Sequence, residues 1–252
     1  MEGMAGKVAI VTGAASGIGA ATARCFARMG VRLVLADVRA ECVEGTLAQV
    51  RQAGGEAIFV QTDVSRPEQV EAMVQAAVDQ YHRLDYACNN AGIEGAMAPT
   101  AECTEENWDR VIAINLKGVW LCLRAEIPRI IPQGGGAIVN IASVAGLVGF
   151  GGLPAYCASK GGVVQLTRTA ALEYATMQVR VNAICPGGIQ TPMLERLEAC
   201  QVDMEARLVQ MHPLGRVGTP EEVAEAVVWL CSPAAAFITG VLLPVDGGFV
   251  AQ

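Results

Sequence analysis

Tyr156 and Lys160 stand four apart in the stretch YCASK, and Ser143 precedes them in NIASVAG. Residues at that spacing on a helix share a face, so a phenol and an ammonium can reach one site. A free phenol titrates at about pH 10 and is a poor base at neutral pH. A unit positive charge about 4 Å away, at an effective dielectric of about 20, is worth about 4 kcal/mol. That corresponds to a lowering of about three pKa units. The expected result is a phenol near neutrality, suited to general acid–base work, beside a Ser143 hydroxyl that donates to or orients a substrate oxygen. The pattern alone also describes a helix-face tyrosine next to a solvated lysine, so the surrounding elements must decide.

Those elements alternate. KVAIVTG (7–13), VRLVLAD (31–37), EAIFVQTD (56–63), LDYACNNAG (84–92), GAIVNIAS (136–143), VRVNAICPG (179–187) and GVLLPVDGG (240–248) read as strands. Several are apolar on successive residues, as strands covered on both faces must be. Helical segments lie between them. One opens with Ser65 as cap and Pro67 in its first turn, another with Thr219 and Pro220. This β-α alternation predicts a single-domain α/β fold, a doubly wound parallel β-sheet (Rossmann-like) flanked by helices on both faces. Ser143 then ends a strand and Tyr156 opens the next helix, so both meet at the carboxyl edge of the sheet. Residues 187–215 break the rhythm; a long excursion from that edge is expected to be a substrate lid, with a surface helical hairpin of no functional role as the plainer reading.

The first strand runs into TGAASGIG, with Gly13, Gly17 and Gly19 in the turn and a helix at once behind it. Glycines let a pyrophosphate approach the backbone, and the helix N-terminus offers free N–H groups. The spacing is not the common G-x-G-x-x-G, and a purely structural turn is possible from the glycines alone. The second strand, however, ends in Asp37, an acid placed to accept from adenosine ribose hydroxyls and to repel a 2′-phosphate. Arg39 counts the other way. The balance favours NAD, with NADP the alternative.

Bulk properties narrow the class. Of 252 residues, 52% are hydrophobic and 17% charged, enough apolar material for a buried core. The net charge of −7 disfavours nucleic acid or an anionic membrane as partner. No apolar run reaches the roughly 18 residues of a membrane helix, and the N-terminus lacks a signal-peptide layout. Nine cysteines without a C-x-x-C pair, and only two histidines, predict a cytoplasmic protein with reduced thiols and no metal site.

TGAASGIG (12–19), NNAG (89–92), Asn115 in INLKG, Ser143, YCASK (156–160) and PGGIQT (186–191) occur together and in order. In this the chain resembles the short-chain dehydrogenases/reductases over essentially its whole length. The resemblance implies an oxidoreductase moving a hydride between a secondary alcohol or ketone and NAD(H). Tyr156 would be the general acid/base, Ser143 would bond the reacting oxygen, and Lys160 would tune the phenol and hold the nicotinamide ribose. Asn115 would fix a relay water; a buried amide at a helix kink is its plainer reading. Gly13, Ser16, Gly17, Ile18, Gly19 and Asp37 would hold the dinucleotide, with Asp63 and Val64 at adenine and Asn89, Ala91 and Gly92 beneath it. Pro186, Gly187, Ile189 and Thr191 would meet the nicotinamide end. Asp63 also reads as a turn residue and Asn89 as a brace for the sheet.

The pocket is expected to open toward Glu94, Gly95, Val144, Gly146, Phe150, Met193, Leu194 and Leu197. These residues suit a small to medium, largely uncharged alcohol or ketone, and no basic residue stands out nearby. His82 and His212 read as surface residues, His212 alternatively as bordering the lid. Two helices apolar around much of their circumference predict a homotetramer, with a dimer as alternative. The rival readings are an NADPH-dependent biosynthetic ketoreductase, such as a 3-oxoacyl reductase, and a dinucleotide-binding scaffold without turnover.

Overall fold

The computed structural model describes residues 3–200 and 204–252, with the side chains of 197–200, 204 and 205 excepted. Among these residues are seven strands: β1 (Val8–Thr12), β2 (Arg32–Asp37), β3 (Ala57–Gln61), β4 (Tyr86–Asn89), β5 (Gly136–Ile141), β6 (Val179–Pro186) and β7 (Leu242–Val245). Each lies within one of the apolar runs. All pair in parallel, in the order β3-β2-β1-β4-β5-β6-β7. Every residue of β1 is buried, because helices cover the sheet on both sides.

The helices are α1 (Gly17–Arg28), α2 (Glu44–Gln52), α3 (Pro67–Tyr81), α4 (Glu105–Ile112), α5 (Gly118–Ile130), α6 (Pro154–Tyr174), α7 (Pro192–Cys200), α8 (Met204–Met211) and α9 (Pro220–Cys231). One core packs α1, α2 and α9 against the sheet, and the other packs α3, α5 and α6. The chain steps outward from β1 to β3, then returns to lay β4 on the other side of β1. Connections from β1 and β4 therefore diverge, and a crevice opens beyond their carboxyl ends. The glycine turn flanks one side of it and the NNAG loop the other.

Two local readings change in the structure. Ser65 does not cap α3: Arg66 occupies the cap position, while Ser65 donates from its N–H and its hydroxyl to Asp63 Oδ1, at 2.9 and 2.6 Å. The short Ser65 side chain is drawn into the turn after β3 instead. The apolar stretch 107–131, one of the two read as helices apolar around much of their circumference, is split by a π-helical segment, Ala113–Lys117, between α4 and α5. Such segments often mark functional sites, and this one carries Asn115.

Thr219 caps α9 as expected. Its Oγ1 accepts from Glu222 N–H at 3.3 Å, and Glu222 Oε2 accepts from Thr219 N–H at 2.8 Å. Thr219→Ala is expected to cost about 1 kcal/mol, a fall of about 2–4 °C in thermal midpoint for a domain of this size. An unchanged melt would show that the Arg216 ion pair holds Glu222 and the turn by itself.

Candidate active site

A cleft of about 430 Å³ lies at the carboxyl edge of the sheet, lined by Ser143, Tyr156 and Lys160 together. Ser143 follows β5, and its Oγ accepts from Ala145 N–H at 3.1 Å, which fixes the hydroxyl at the rim. Tyr156 sits in the first turn of α6. Lys160, one turn later, is buried, and its Nζ donates to Ile141 O at 2.8 Å. That ammonium also lies 5.7 Å from the centre of the Tyr156 ring.

The electrostatics differ from the sequence expectation. Burial pushes the Tyr156 phenol up to about 12, with the neighbouring Ser143 hydroxyl pulling the other way. Burial also pulls Lys160 down to about 8. The spacing argument counted the attraction between phenolate and ammonium but not the cost of withdrawing both from water. Here that cost is the larger effect. The ammonium faces the ring and a carbonyl, where it does little for the phenol oxygen.

Asn115 is fully buried and its amide is spent on structure. Oδ1 accepts from Ile93 N–H at 2.9 Å, while Nδ2 donates to Ile93 O at 2.8 Å and to Ser159 Oγ at 3.2 Å. Ser159 Oγ in turn donates to Tyr156 O at 2.7 Å. The π-segment thus ties the loop after β4 to the first turns of α6. Gly92 lies in this corner; a Cβ there would come within 3.2 Å of Asn115 Oδ1 and 3.6 Å of Lys160 Nζ.

The glycine turn closes tightly. Gly13 has φ +64°, and a Cβ on Gly19 would fall 2.1 Å from Gly13 O. Asn90 locks the turn from across the crevice, its Nδ2 donating to Thr12 O at 2.9 Å. Ser16 precedes α1 without capping it through its side chain. At the end of β2, Asp37 Oδ2 accepts from Ala15 N–H at 3.0 Å, and Oδ1 accepts from Arg39 N–H at 3.0 Å. The Arg39 guanidinium lies beside the same carboxylate and donates to Ser16 Oγ at 3.1 Å.

A family model described as Enoyl-(Acyl carrier protein) reductase matches residues 13–250. The chain is 43% identical to the cyclohexanol dehydrogenase of Acinetobacter sp. (strain SE19), covering 98% of this chain and 96% of that one. It is 44% identical to the cis-4-hydroxycyclohexanecarboxylate dehydrogenase of Sinomonas cyclohexanicum, over 99% of both. The crystal structure of levodione reductase superposes with a TM-score of 0.95 at 39% identity, covering 98% of this chain and 99% of that one.

The chain belongs to the short-chain dehydrogenase/reductase family. It is an oxidoreductase of the alcohol dehydrogenase type, moving a hydride between a secondary alcohol or its ketone and a nicotinamide dinucleotide. The crevice suits such a cofactor: an uncapped helix N-terminus lies behind a turn with no room for side chains at Gly13 and Gly19, and a buried carboxylate lies at one end.

Not every site residue of this dehydrogenase lies where the sequence placed it. Ile18, Gly92, Pro186, Gly187, Ile189 and Thr191 line the cleft with Ser143, Tyr156 and Lys160, as do Glu94, Val144, Phe150, Met193 and Leu194. Gly95 and Gly146 do not line it. Gly95 packs on α4, and Gly146 lets the backbone of α6 come close. The side chain of Leu197 lies outside the described residues. Asn89 is buried beneath the sheet edge and bonds to Glu126 and Asn140, so it braces the sheet rather than lining the cleft. Val64 packs against Gly118. Asp63 Oδ1 is engaged in its own turn.

Other residues went unread in the sequence: Met97, Leu153, Arg207, Leu208 and Phe249 also line the cleft, as does Met211, which the sequence suggests as lid packing. Phe249 stacks on Phe150 with ring centres 5.5 Å apart. The absence of basic residues near the site is overturned: Arg207 lines the cleft, and Arg196 pairs with Glu94 at 2.7 and 3.1 Å. Burial disfavours the Glu94 carboxylate, but the Arg196 guanidinium outweighs it and holds the group below its usual range. His212 is buried rather than on the surface. Its Nε2 accepts from Gly188 N–H at 3.0 Å and its Nδ1 bonds Leu208 O, bracing the loop after β6. No spacing rule announces these residues, because they converge from separate parts of the chain.

Proposed function

We propose that this dehydrogenase acts on compact, largely apolar cyclic secondary alcohols and their ketones, with NAD(H) as preferred coenzyme. The observation that carries the reading is the convergence of Ser143, Tyr156 and Lys160 on one predominantly apolar cleft. Its size suits a ring of modest dimensions, in line with the substrates named for the cyclohexanol and hydroxycyclohexanecarboxylate dehydrogenases.

In oxidation Tyr156 takes the proton from the substrate hydroxyl, and Ser143 hydrogen-bonds the same oxygen. Lys160 holds the nicotinamide ribose and supplies positive charge to the ionising phenol. Asn115 fixes the wall beside Lys160, from which a water relay leads outward. A nicotinamide dinucleotide held by these residues would supply the hydride acceptor and, when oxidised, positive charge beside the phenol. Gly13, Ser16, Gly17, Ile18 and Gly19 receive the pyrophosphate, and Asp37 the adenosine ribose. Asp63 and Val64 border adenine; Asn89 supports Ala91 and Gly92 from below. Pro186, Gly187, Ile189 and Thr191 hold the carboxamide end. NADP remains the second coenzyme because Arg39 reaches Ser16 across the ribose position.

The segment 187–215, carrying α7 and α8, acts as the lid. The Glu94–Arg196 pair joins α7 to the loop after β4. Such a half-exposed pair is worth up to about 1 kcal/mol. Arg196→Ala is therefore expected to raise the substrate KM by up to about fivefold and leave kcat near its original value, as initial-rate kinetics would read. Exposed Trp108, Trp120, Leu172 and Phe237 support a homotetramer. The described cysteines are all free thiols, which supports a reducing, cytoplasmic setting. Among the described residues no helix is long and apolar enough to cross a membrane.

The test is NADH formation from a panel of cyclic and acyclic secondary alcohols, with NAD and NADP in parallel. Selective turnover of cyclic alcohols with NAD is expected. Preference for NADP, or for acyl thioester substrates, would move the biosynthetic reductase to first place.

A further inference from the structure

Glu126 is a charged residue type with no exposure at all, on α5 beneath the centre of the sheet. Among the described residues no cation pairs with it. Its Oε2 accepts from Asn89 Nδ2 at 3.1 Å, and its Oε1 has no partner. Asn89 is similarly half-served: Nδ2 donates to Glu126 and to Asn140 Oδ1, both at 3.1 Å, while the buried Oδ1 has no partner. Two unpartnered acceptors thus belong to residues already joined through their other atoms. Buried polar groups are almost always satisfied, and a carboxylate held here with one neutral donor would be costly.

Turning the Asn89 amide over does not help an ionised Glu126. The amide oxygen would then face Glu126 Oε2 and Asn140 Oδ1, oxygen against oxygen. One added proton resolves both orphans. We infer that Glu126 is a neutral carboxylic acid whose Oε1–H serves Asn89 Oδ1, closing an acid–amide pair that positions the catalytic strands from beneath. Glu126 touches neither substrate nor coenzyme and is a positioning residue.

The bonds continue from that pair into the active site. Asn89 and Asn140 stand opposite each other on β4 and β5. Asn140 Nδ2 donates to Thr167 Oγ1 at 2.9 Å on α6, and Thr167 Oγ1 donates to Val163 O at 2.8 Å. The network therefore ties α5, β4, β5 and α6 together. Beyond Asn89 come Asn90, which locks the glycine turn, and Gly92. Beyond Asn140 come Ile141, which accepts from Lys160, and Ser143. Helix α6 carries Tyr156 and Lys160.

Burial pushes the Glu126 carboxyl up to about 7, with the Asn89 N–H pulling the other way. The titratable groups facing it are the buried thiols of Cys88 on β4 and Cys122 on α5, both held protonated well above their usual range by burial. Neither supplies a compensating charge. The folded acid thus keeps its proton where the unfolded chain has lost it. The stability Glu126 contributes is full below its unfolded value and falls away as pH rises through about 7.

The catalytic half of this inference rests on the reaction proposed above; the proton half does not, and is read without coenzyme or substrate. Infrared spectra of the free protein in D2O at pH 6 are expected to show a protonated-carboxyl C=O band that Glu126→Gln removes. Gln keeps the shape and offers N–H to Asn89 Oδ1, so Glu126→Gln should keep turnover within about twofold. Its thermal midpoint should gain on the wild type between pH 5 and pH 8. Glu126→Leu leaves the Asn89 amide unanswered, and should lower kcat about tenfold or fail to fold. Absence of the band, or a Gln variant as damaged as the Leu variant, would overturn the inference. A band present in a protein that turns over no alcohol would spare the acid–amide pair and sink the reaction reading instead.

Discussion

Tyr156→Phe is expected to lower turnover of a secondary alcohol by about two to four orders of magnitude, the usual worth of a positioned acid or base. Binding of NAD should be unchanged, because the ring and its packing remain. The phenol is held up to about 12 in the free protein and Lys160 down to about 8. Both shifts come from burial; positive charge entering the site eases the first and deepens the second. Alcohol oxidation needs the phenolate, so its rate should rise with pH; ketone reduction needs the phenol, so its rate should fall. Lys160→Met removes the ammonium that lies 5.7 Å from the centre of the ring. An opposite charge within a few ångströms is worth about one to three pKa units, but this ammonium faces the ring and the Ile141 carbonyl rather than the phenol oxygen, so the oxidative profile should move to higher pH by no more than about one unit. The pH dependence of kcat/KM in both directions checks this. A Tyr156→Phe enzyme that keeps a tenth of its activity would show that the proton leaves by another route.

Asp37 carries the second large effect. Hydrogen bonds to a charged group contribute about 1.5–3 kcal/mol, so losing the ribose contacts predicts a fall of about ten- to a hundredfold in kcat/KM for NAD with Asp37→Ala. The same change frees Arg39 from its carboxylate partner while leaving its reach to Ser16. NADP efficiency should therefore rise as NAD efficiency falls. Adding Arg39→Ala should remove the gain. Ala15 N–H also loses its acceptor in these variants, so a melting curve belongs beside the kinetics. If the NAD-to-NADP ratio stays fixed in Asp37→Ala, coenzyme choice is not made at the end of β2.

The sequence by itself determined the frame. Successive apolar residues announce each buried strand, because a strand covered on both faces has no polar side to show. Thr219 and Pro220 announce a helix start by local hydrogen-bond chemistry. The placement of Ser143 and Tyr156 at one edge follows from strand-then-helix order, since every parallel strand ends on the same side. Ser65 misled because a hydroxyl can serve a turn as readily as a helix start, and sequence does not say which partner is nearer.

Only the tertiary structure decided what depends on burial and on convergence of distant segments. The phenol is raised rather than lowered because desolvation scales with the surrounding protein, which residue spacing does not measure. Glu94 reads as an exposed loop acid, with binding of a polar group as the alternative, until α7 brings Arg196 to it. His212 reads as a surface residue until the loop after β6 folds over it, and Phe249 enters the pocket from the far end of the chain. Asn89 reads as cofactor wall or brace with equal ease. Its burial against Glu126 and Asn140 makes it a brace, because the direction of a side chain relative to a sheet edge is set by packing on both faces and not by the neighbours in sequence.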